Sequence, residues 1–318
     1  MFTTSTGRLH PVWASVISGV FSIAALITAR VVAEAIAGQH SLILEVISRS
    51  LLTLLLIGVY VWLLIIVDHV HDHRIAALGL PHTGGWLKQF VTGCGVGLVL
   101  TTLAVLPIAI WGSTSISLRF GLHLLPRIGA ILLVLLLGAL AEELMFRGYP
   151  FQRLAEGIGA IGAIAVFSVL FGAVHLSNPH ASVWGLINTV LIGILLAIAY
   201  LRTRALWLPW GIHFGWNTAL GFLWGLPVSG LRMFNVVVRT STSGPKWMTG
   251  GSYGIEASAT GTIAVLIGLV IVWKLPVTKN SCQWSVAGRQ LAVAGHSTAG
   301  GLDQDGHDRQ VGERNDSS

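Results

Sequence analysis

Apolar runs of bilayer-crossing length recur along the chain, separated by short polar stretches. A helix needs about 20 mostly apolar residues to cross a membrane core. The pattern predicts helices at roughly 12–36, 46–67, 88–111, 128–150, 160–176, 183–201, 206–225 and 260–275. No unit of about 20–50 residues repeats, which argues against a solenoid. The polar intervals differ in kind. "DHVHDHRIAALGLPHTGGW" at 68–86 is rich in turn residues, "LSNPHAS" at 176–182 is short, and 226–259 reads as a Gly/Ser/Thr loop outside the bilayer. From Pro276 onward the chain has too little apolar content to pack and reads as a disordered tail. The expected fold is therefore all-α: a polytopic transmembrane helix bundle of about eight helices. It divides into N-terminal helices and loops (1–127), a core (128–220), a loop with the last helix (221–275) and a polar tail (276–318).

Composition agrees with the pattern. Of 318 residues, 53% are hydrophobic and 10% charged, against about 25% charged in soluble domains. Mean hydropathy is +0.76. The formal charge is +6, which in this class fits basic loops lying against anionic lipid. No basic block is interleaved with aromatics, so a nucleic-acid partner is not expected. The two cysteines, Cys94 in an apolar run and Cys282 in the tail, do not suggest a bridge. The first apolar run lacks a small-residue cleavage site and reads as a retained helix. Lysine and arginine favour the side bearing Arg8, Arg74, Lys88, Arg153, Arg202, Arg204 and the tail over the side with Arg49, Arg119, Arg127, Arg232, Arg239 and Lys246. Both termini are expected in the cytosol, with the plasma membrane as location. Trp111, Trp184, Trp207 and Trp273 fall at span ends, where indoles anchor at the interface.

Charged groups inside apolar runs cost about 2.5–3.5 kcal/mol each to insert, so those present need a reason. In "GALAEELMFRGYPFQRL" Glu143 and Arg147 are four residues apart and share a helix face as an ion pair. Glu142 is rotated by about 100° from Glu143 and is left free, as a general base with a fixed neighbour would be. "FGAVH" aligns Phe171 with His175, and "HFGWN" aligns His213 with Asn217. An imidazole and an amide side by side can donate to one anionic oxygen. Gly211 and Gly215 flank His213 in a small-xxx-small spacing that admits a close helix neighbour. Counted along their helices, Glu142, His175 and His213 lie about 16, 21 and 9 Å from one side, a spread that one site accommodates by tilt or a later start of the fifth helix.

These residues resemble the CAAX protease and bacteriocin-processing family of intramembrane proteases, which includes type II CAAX prenyl endopeptidases. The family's EExxxR, FxxxH and HxxxN/D motifs read here as "EELMFR" at 142–147, "FGAVH" at 171–175 and "HFGWN" at 213–217. The likeness covers about residues 128–220, and "GYPFQRL" and "LWLPWGIH" belong to it. It implies an endopeptidase that cleaves a membrane-associated or lipidated peptide inside or at the edge of the membrane. By resemblance, Glu142 activates a water with help from His175. His213 and Asn217 hold the oxyanion, while Glu143 and Arg147 brace the site and Phe171 shapes it. The metal-free route is preferred. If zinc takes part, Glu142, His175 and His213 would be its ligands with a fourth position open, although no HExxH is present.

Rival readings are a non-catalytic membrane scaffold or bacteriocin-immunity protein, and a proton-coupled transporter. The transporter should show repeat symmetry and broken helices, and neither is evident. The expected partners are membrane lipid and a membrane-associated peptide or protein. His69, His71 and His73 read as a wet loop. "GGSYG" at 250–254 lacks the strand and helix of a serine-nucleophile elbow. Asn178 and Asn188 read as capping or packing residues, and "DQDG" in the tail as solvated charge.

Overall fold

The computed structural model describes residues 9–37, 42–67, 78–82, 85–111 and 113–277, all within one compact unit spanning Met1–Gln283. His69, His71, His73 and nearly all of the tail lie outside the described residues.

The apolar runs are helices. They are α1 (Pro11–Ala37), α2 (Leu42–Val67), α3 (Trp86–Trp111), α4 (Leu125–Arg147), α5 (Tyr149–Val174), α6 (Val183–Thr203), α7 (Trp207–Thr218), the single turn α8 (Lys246–Thr249) and α9 (Ala259–Lys274). Among the described residues, four stretches are long and apolar enough to cross a membrane: Pro11–Thr28, Trp86–Trp111, Leu122–Ser177 and Val183–Thr203. Large apolar side chains such as Ile161, Val183 and Trp111 stand 75–85% exposed. Water would penalise so continuous an apolar exterior, whereas lipid does not. The chain is an all-α, integral membrane helix bundle.

Packing centres on α3 and α7, the most extensively paired helices. Their seam is made of interlocked glycines. A Cβ on Gly215 would lie 2.5 Å from the Cys94 carbonyl oxygen, and one on Gly211 would lie 2.2 Å from that of Phe90. Gly93 and Gly97 meet Leu208 and Ile212 carbonyls just as closely from the other side. The expected small-xxx-small contact is thus matched by a second one on α3, and the two backbones pack with no side chains between. Around this pair, α9 packs on α3 and α6, α4 and α6 pack on α7, α5 packs on α6 and α4, and the α1–α2 hairpin leans on α5 and α4.

Two departures from the sequence reading matter for the site. The expected helix 128–150 ends at Arg147, because a Cβ at Gly148 would fall 2.2 Å from the Leu144 carbonyl oxygen as the chain turns. The next helix starts at once, at Tyr149 rather than near 160, and kinks at Gly159, where φ is +85°. The first arm of α5 is buried from Tyr149 to Leu154, and Arg153 pairs with Glu156 and donates to the Leu9 carbonyl. Mixed polarity in 149–158 hid this arm from an apolar-run reading.

The second departure is the 226–259 interval, which is folded rather than an open loop. Strand β2 (Val238–Ser243) pairs antiparallel with β1 (Ser113–Leu118), from Ser113 opposite Ser243 to Leu118 opposite Val238. Leu226, Val228, Phe234, Val236, Met248 and Ile255 join the hydrophobic core. Hydroxyl-rich strands such as "STSISL" and "VRTSTS" show little apolar alternation, so the sequence pattern does not betray them.

Candidate active site

The central ion pair forms within one turn of α4. Arg147 Nη1 donates to Glu143 Oε1 at 3.2 Å, and its Nη2 donates to the Gly193 carbonyl at 3.1 Å. Gly193 is the midpoint of α6, about 15 Å from either end. The charges are therefore deep in the bundle: Glu143 is fully buried and Arg147 nearly so. The guanidinium also lies over the Phe171 ring, 4.4 Å from its centroid. Phe171 thus packs against a cation, a contact favoured by the ring's negative face, and its edge meets His213.

From this base the two imidazoles are oriented in different ways. His213 Nδ1 faces Glu143 Oε1 at 2.8 Å and donates its proton there. His175 sits just past the end of α5, with Nδ1 at 2.7 Å from the Phe171 carbonyl oxygen, to which it donates. Each ring is thereby fixed with Nε2 turned toward the same place. That place holds Glu142 Oε2, 3.9 Å from His175 Nε2 and 3.8 Å from His213 Nε2. This oxygen is shielded from solvent and makes no hydrogen bond among the described residues, although the side chain as a whole is 37% exposed. The separation of Glu142 from Glu143 is thus twofold: one carboxylate is consumed by Arg147 and His213, the other is free and reachable.

Asn217 lies one turn beyond His213 on the same edge of α7 and is half-buried. The three unequal depths counted along the helices do not keep the side chains apart. The break at Gly148 and the kink at Gly159 detach α5 from the line of α4, and Glu142, His175 and His213 converge.

The three residues that would hold zinc, Glu142, His175 and His213, do stand together. Ligands at 2.0–2.1 Å in a tetrahedron stand about 3.3 Å apart, closer than the Glu142–His spacings of 3.8 and 3.9 Å. Among the described residues no group of three His, Cys, Asp or Glu side chains is arranged to hold a metal.

Sequence reasoning missed a second polar centre beside the first. Glu256, 5% exposed, accepts from the Trp216 indole Nε1 at 3.1 Å, from the Ser229 hydroxyl at 3.0 Å and from the Ser229 backbone N–H. Burial pushes its carboxyl above the usual carboxylate range, and the Ser229 and Trp216 donors and nearby His175 only partly offset this. Tyr253 shares a narrow crevice with His175, Gly172 and Ser182. Its phenol is pushed up to about 12 by burial and by the Glu256 charge. One signal was available: Glu256 is the only acidic residue between Glu156 and Asp303. Asn188 is a packing residue, as expected. Its amide donates to the Glu256 and Ser258 carbonyls and accepts from Thr262. "GGSYG" forms a glycine turn between α8 and a short 3-10 turn at Ile255–Ala257, not a nucleophile elbow.

No match to the chain is found among curated proteins or among solved structures. Residues 124–219, which hold the Glu-Glu-Arg, Phe-His and His-Asn sets just described, match the family model "Type II CAAX prenyl endopeptidase Rce1-like".

Proposed function

We propose that the chain is an intramembrane endopeptidase that hydrolyses a peptide bond of a membrane-associated or lipidated peptide, prenylated CAAX sequences included, using a water activated by Glu142. One observation carries this reading: a free carboxylate oxygen lies between two imidazole Nε2 atoms, at 3.8 and 3.9 Å. Those gaps exceed a direct hydrogen bond and suit a bridging water. No metal enters the proposed reaction.

The water donates one proton to Glu142 Oε2 and another to His175 Nε2, which carries a lone pair because Nδ1–H is given to the Phe171 carbonyl. As the water oxygen attacks the carbonyl carbon, its first proton passes to Glu142. The carbonyl oxygen becomes an oxyanion, held by Asn217 Nδ2 and by His213. With Nδ1–H directed at Glu143, His213 donates from Nε2 only as an imidazolium. The C–N bond then breaks, Glu142 returns its proton to the leaving nitrogen, and a carboxylic acid and an amine result. Glu143 and Arg147 hold the base and the imidazole in register without touching substrate.

The test compares membranes from cells carrying the wild type and Glu142→Gln, by mass spectrometry of membrane peptides. Uncleaved peptides should accumulate with the variant. Identical peptide profiles, with both proteins present at equal levels, would count against proteolysis and favour a scaffold role.

A further inference from the structure

The turn that carries His213 and Asn217 is gripped from outside the matched domain. Trp216 is the residue between Gly215, locked on α3, and Asn217. Its indole N–H ends on Glu256, which lies on the Ile255–Ala257 turn leading into α9. That turn is itself fixed: Asn188 of α6 donates to its Glu256 carbonyl, and Ser229 supplies two donors to its carboxylate. A buried carboxylate with several neutral donors and no cation on it is an expensive arrangement, and nothing in the proposed reaction uses it directly. Its hydrogen-bonded link to α7 is Trp216.

We propose that Glu256 is a positioning residue, whose hydrogen bond to Trp216 sets the end of α7 and so aims Asn217 at the oxyanion, while Glu143 holds His213. The proposal rests on the peptidase reading for its consequence and on the Glu256–Trp216 geometry for its mechanism. The hydrogen bond holds the α7 turn next to the seam, where Gly97 packs against the Trp216 backbone N, and it adds to the bond by which Glu143 holds His213. Losing the tether leaves the seam intact. The helix stays in place through Trp216, while the residues from Asn217 onward, which run directly into a wide π-type turn at Ala219–Leu223, lose the support that sets their rotation. Substrate binding does not depend on that rotation, whereas oxyanion stabilisation does.

The experiment uses the full chain in detergent micelles, with an internally quenched peptide ending in a farnesylated CAAX sequence as probe. Glu256→Ala should lower kcat about tenfold or more at unchanged KM, the signature of an interaction made in the transition state. Glu256→Gln, which keeps an acceptor for the indole, should recover most of the loss. Trp216→Phe should match Glu256→Ala, and the double variant should be no worse than either single one. Wild-type kcat in Glu256→Ala, or losses in the double variant equal to the product of the singles, would overturn the proposal.

Hydrogen exchange of peptides covering 213–223 provides an arm that needs no turnover. Exchange there should quicken in Glu256→Ala and Trp216→Phe alike, and stay unchanged over 190–200. Equal exchange in all three proteins overturns the tether even if the probe is never cleaved. Failure of Glu142→Gln to abolish cleavage instead strikes the peptidase reading alone.

Discussion

Two buried carboxylates, less than one helix diameter from the same α7 turn, are stabilised by opposite means. Glu143 is answered by charge: Arg147 on its own helix and His213 across the interface. Glu256 is answered by neutral donors, an indole, a hydroxyl and a backbone N–H. The first arrangement is set by one short stretch of sequence and lies in the matched domain. The second depends on residues 216, 229 and 256 meeting after the 226–258 segment has folded back. The contrast separates two roles that burial alone does not distinguish. A charge-compensated acid anchors a site, whereas one held by neutral dipoles keeps its proton affinity adjustable by its surroundings. Glu142, whose Oε2 makes no hydrogen bond among the described residues, is the group that the proposed reaction uses.

The contrast can be broken at several points. The largest effect is expected at the free carboxylate: Glu142→Gln should reduce kcat by about 10²–10⁴-fold, as loss of a general base does, with no fall in melting temperature. A parallel loss of stability would mean that Glu142 is a structural member like its neighbour. Next comes the charge-compensated centre. Arg147→Met strands Glu143 with its charge and should cost about 3–5 kcal/mol, read by thermal unfolding in detergent. Adding Glu143→Gln should restore much of it, because a neutral amide no longer needs the cation. If the double variant stays as unstable as the single, the pair is not what holds this region.

Smaller effects belong to what the two centres share. Gly215→Val forces a side chain into the Cys94 backbone and should destabilise by about 1–3 kcal/mol, while slowing turnover through both His213 and Trp216. Stability loss with unchanged kcat would show that the seam holds the fold but not the site.

The smallest expected effect concerns pH and Glu256. Its carboxyl is raised in the folded protein, with burial the main cause. The native state therefore binds this proton more tightly than the unfolded chain does. The contribution to stability is greatest below the usual carboxylate range, declines as pH rises toward the folded value, and is constant above it. Melting temperatures followed from about pH 4 upward should fall more steeply for the wild type than for Glu256→Gln. Parallel curves would mean that the neutral donors compensate the charge fully, erasing the contrast with Glu143.

How much of this was legible in the chain varies by region. The bilayer-length helices were, because twenty apolar residues in sequence leave the backbone no alternative to internal hydrogen bonds in lipid. The Glu143–Arg147 pair was too, since a four-residue spacing fixes a helical neighbour without reference to the rest of the fold. The first arm of α5 was not, because its polar residues are buried by partners on other elements, such as Leu9 for Arg153. Neither was the β1–β2 pairing, where two hydroxyl-rich segments more than a hundred residues apart find each other.

The sequence by itself determined the membrane class, the helices and the three motif sets, because each depends on composition or on spacing along one helix. Only the tertiary structure decided that Glu142 lies between His175 and His213, and that Glu256 holds Trp216. Those contacts join residues dozens of positions apart. Their distances are set by the turn at Gly148, the kink at Gly159 and the glycine seam of α3 and α7, and no count along the chain contains them.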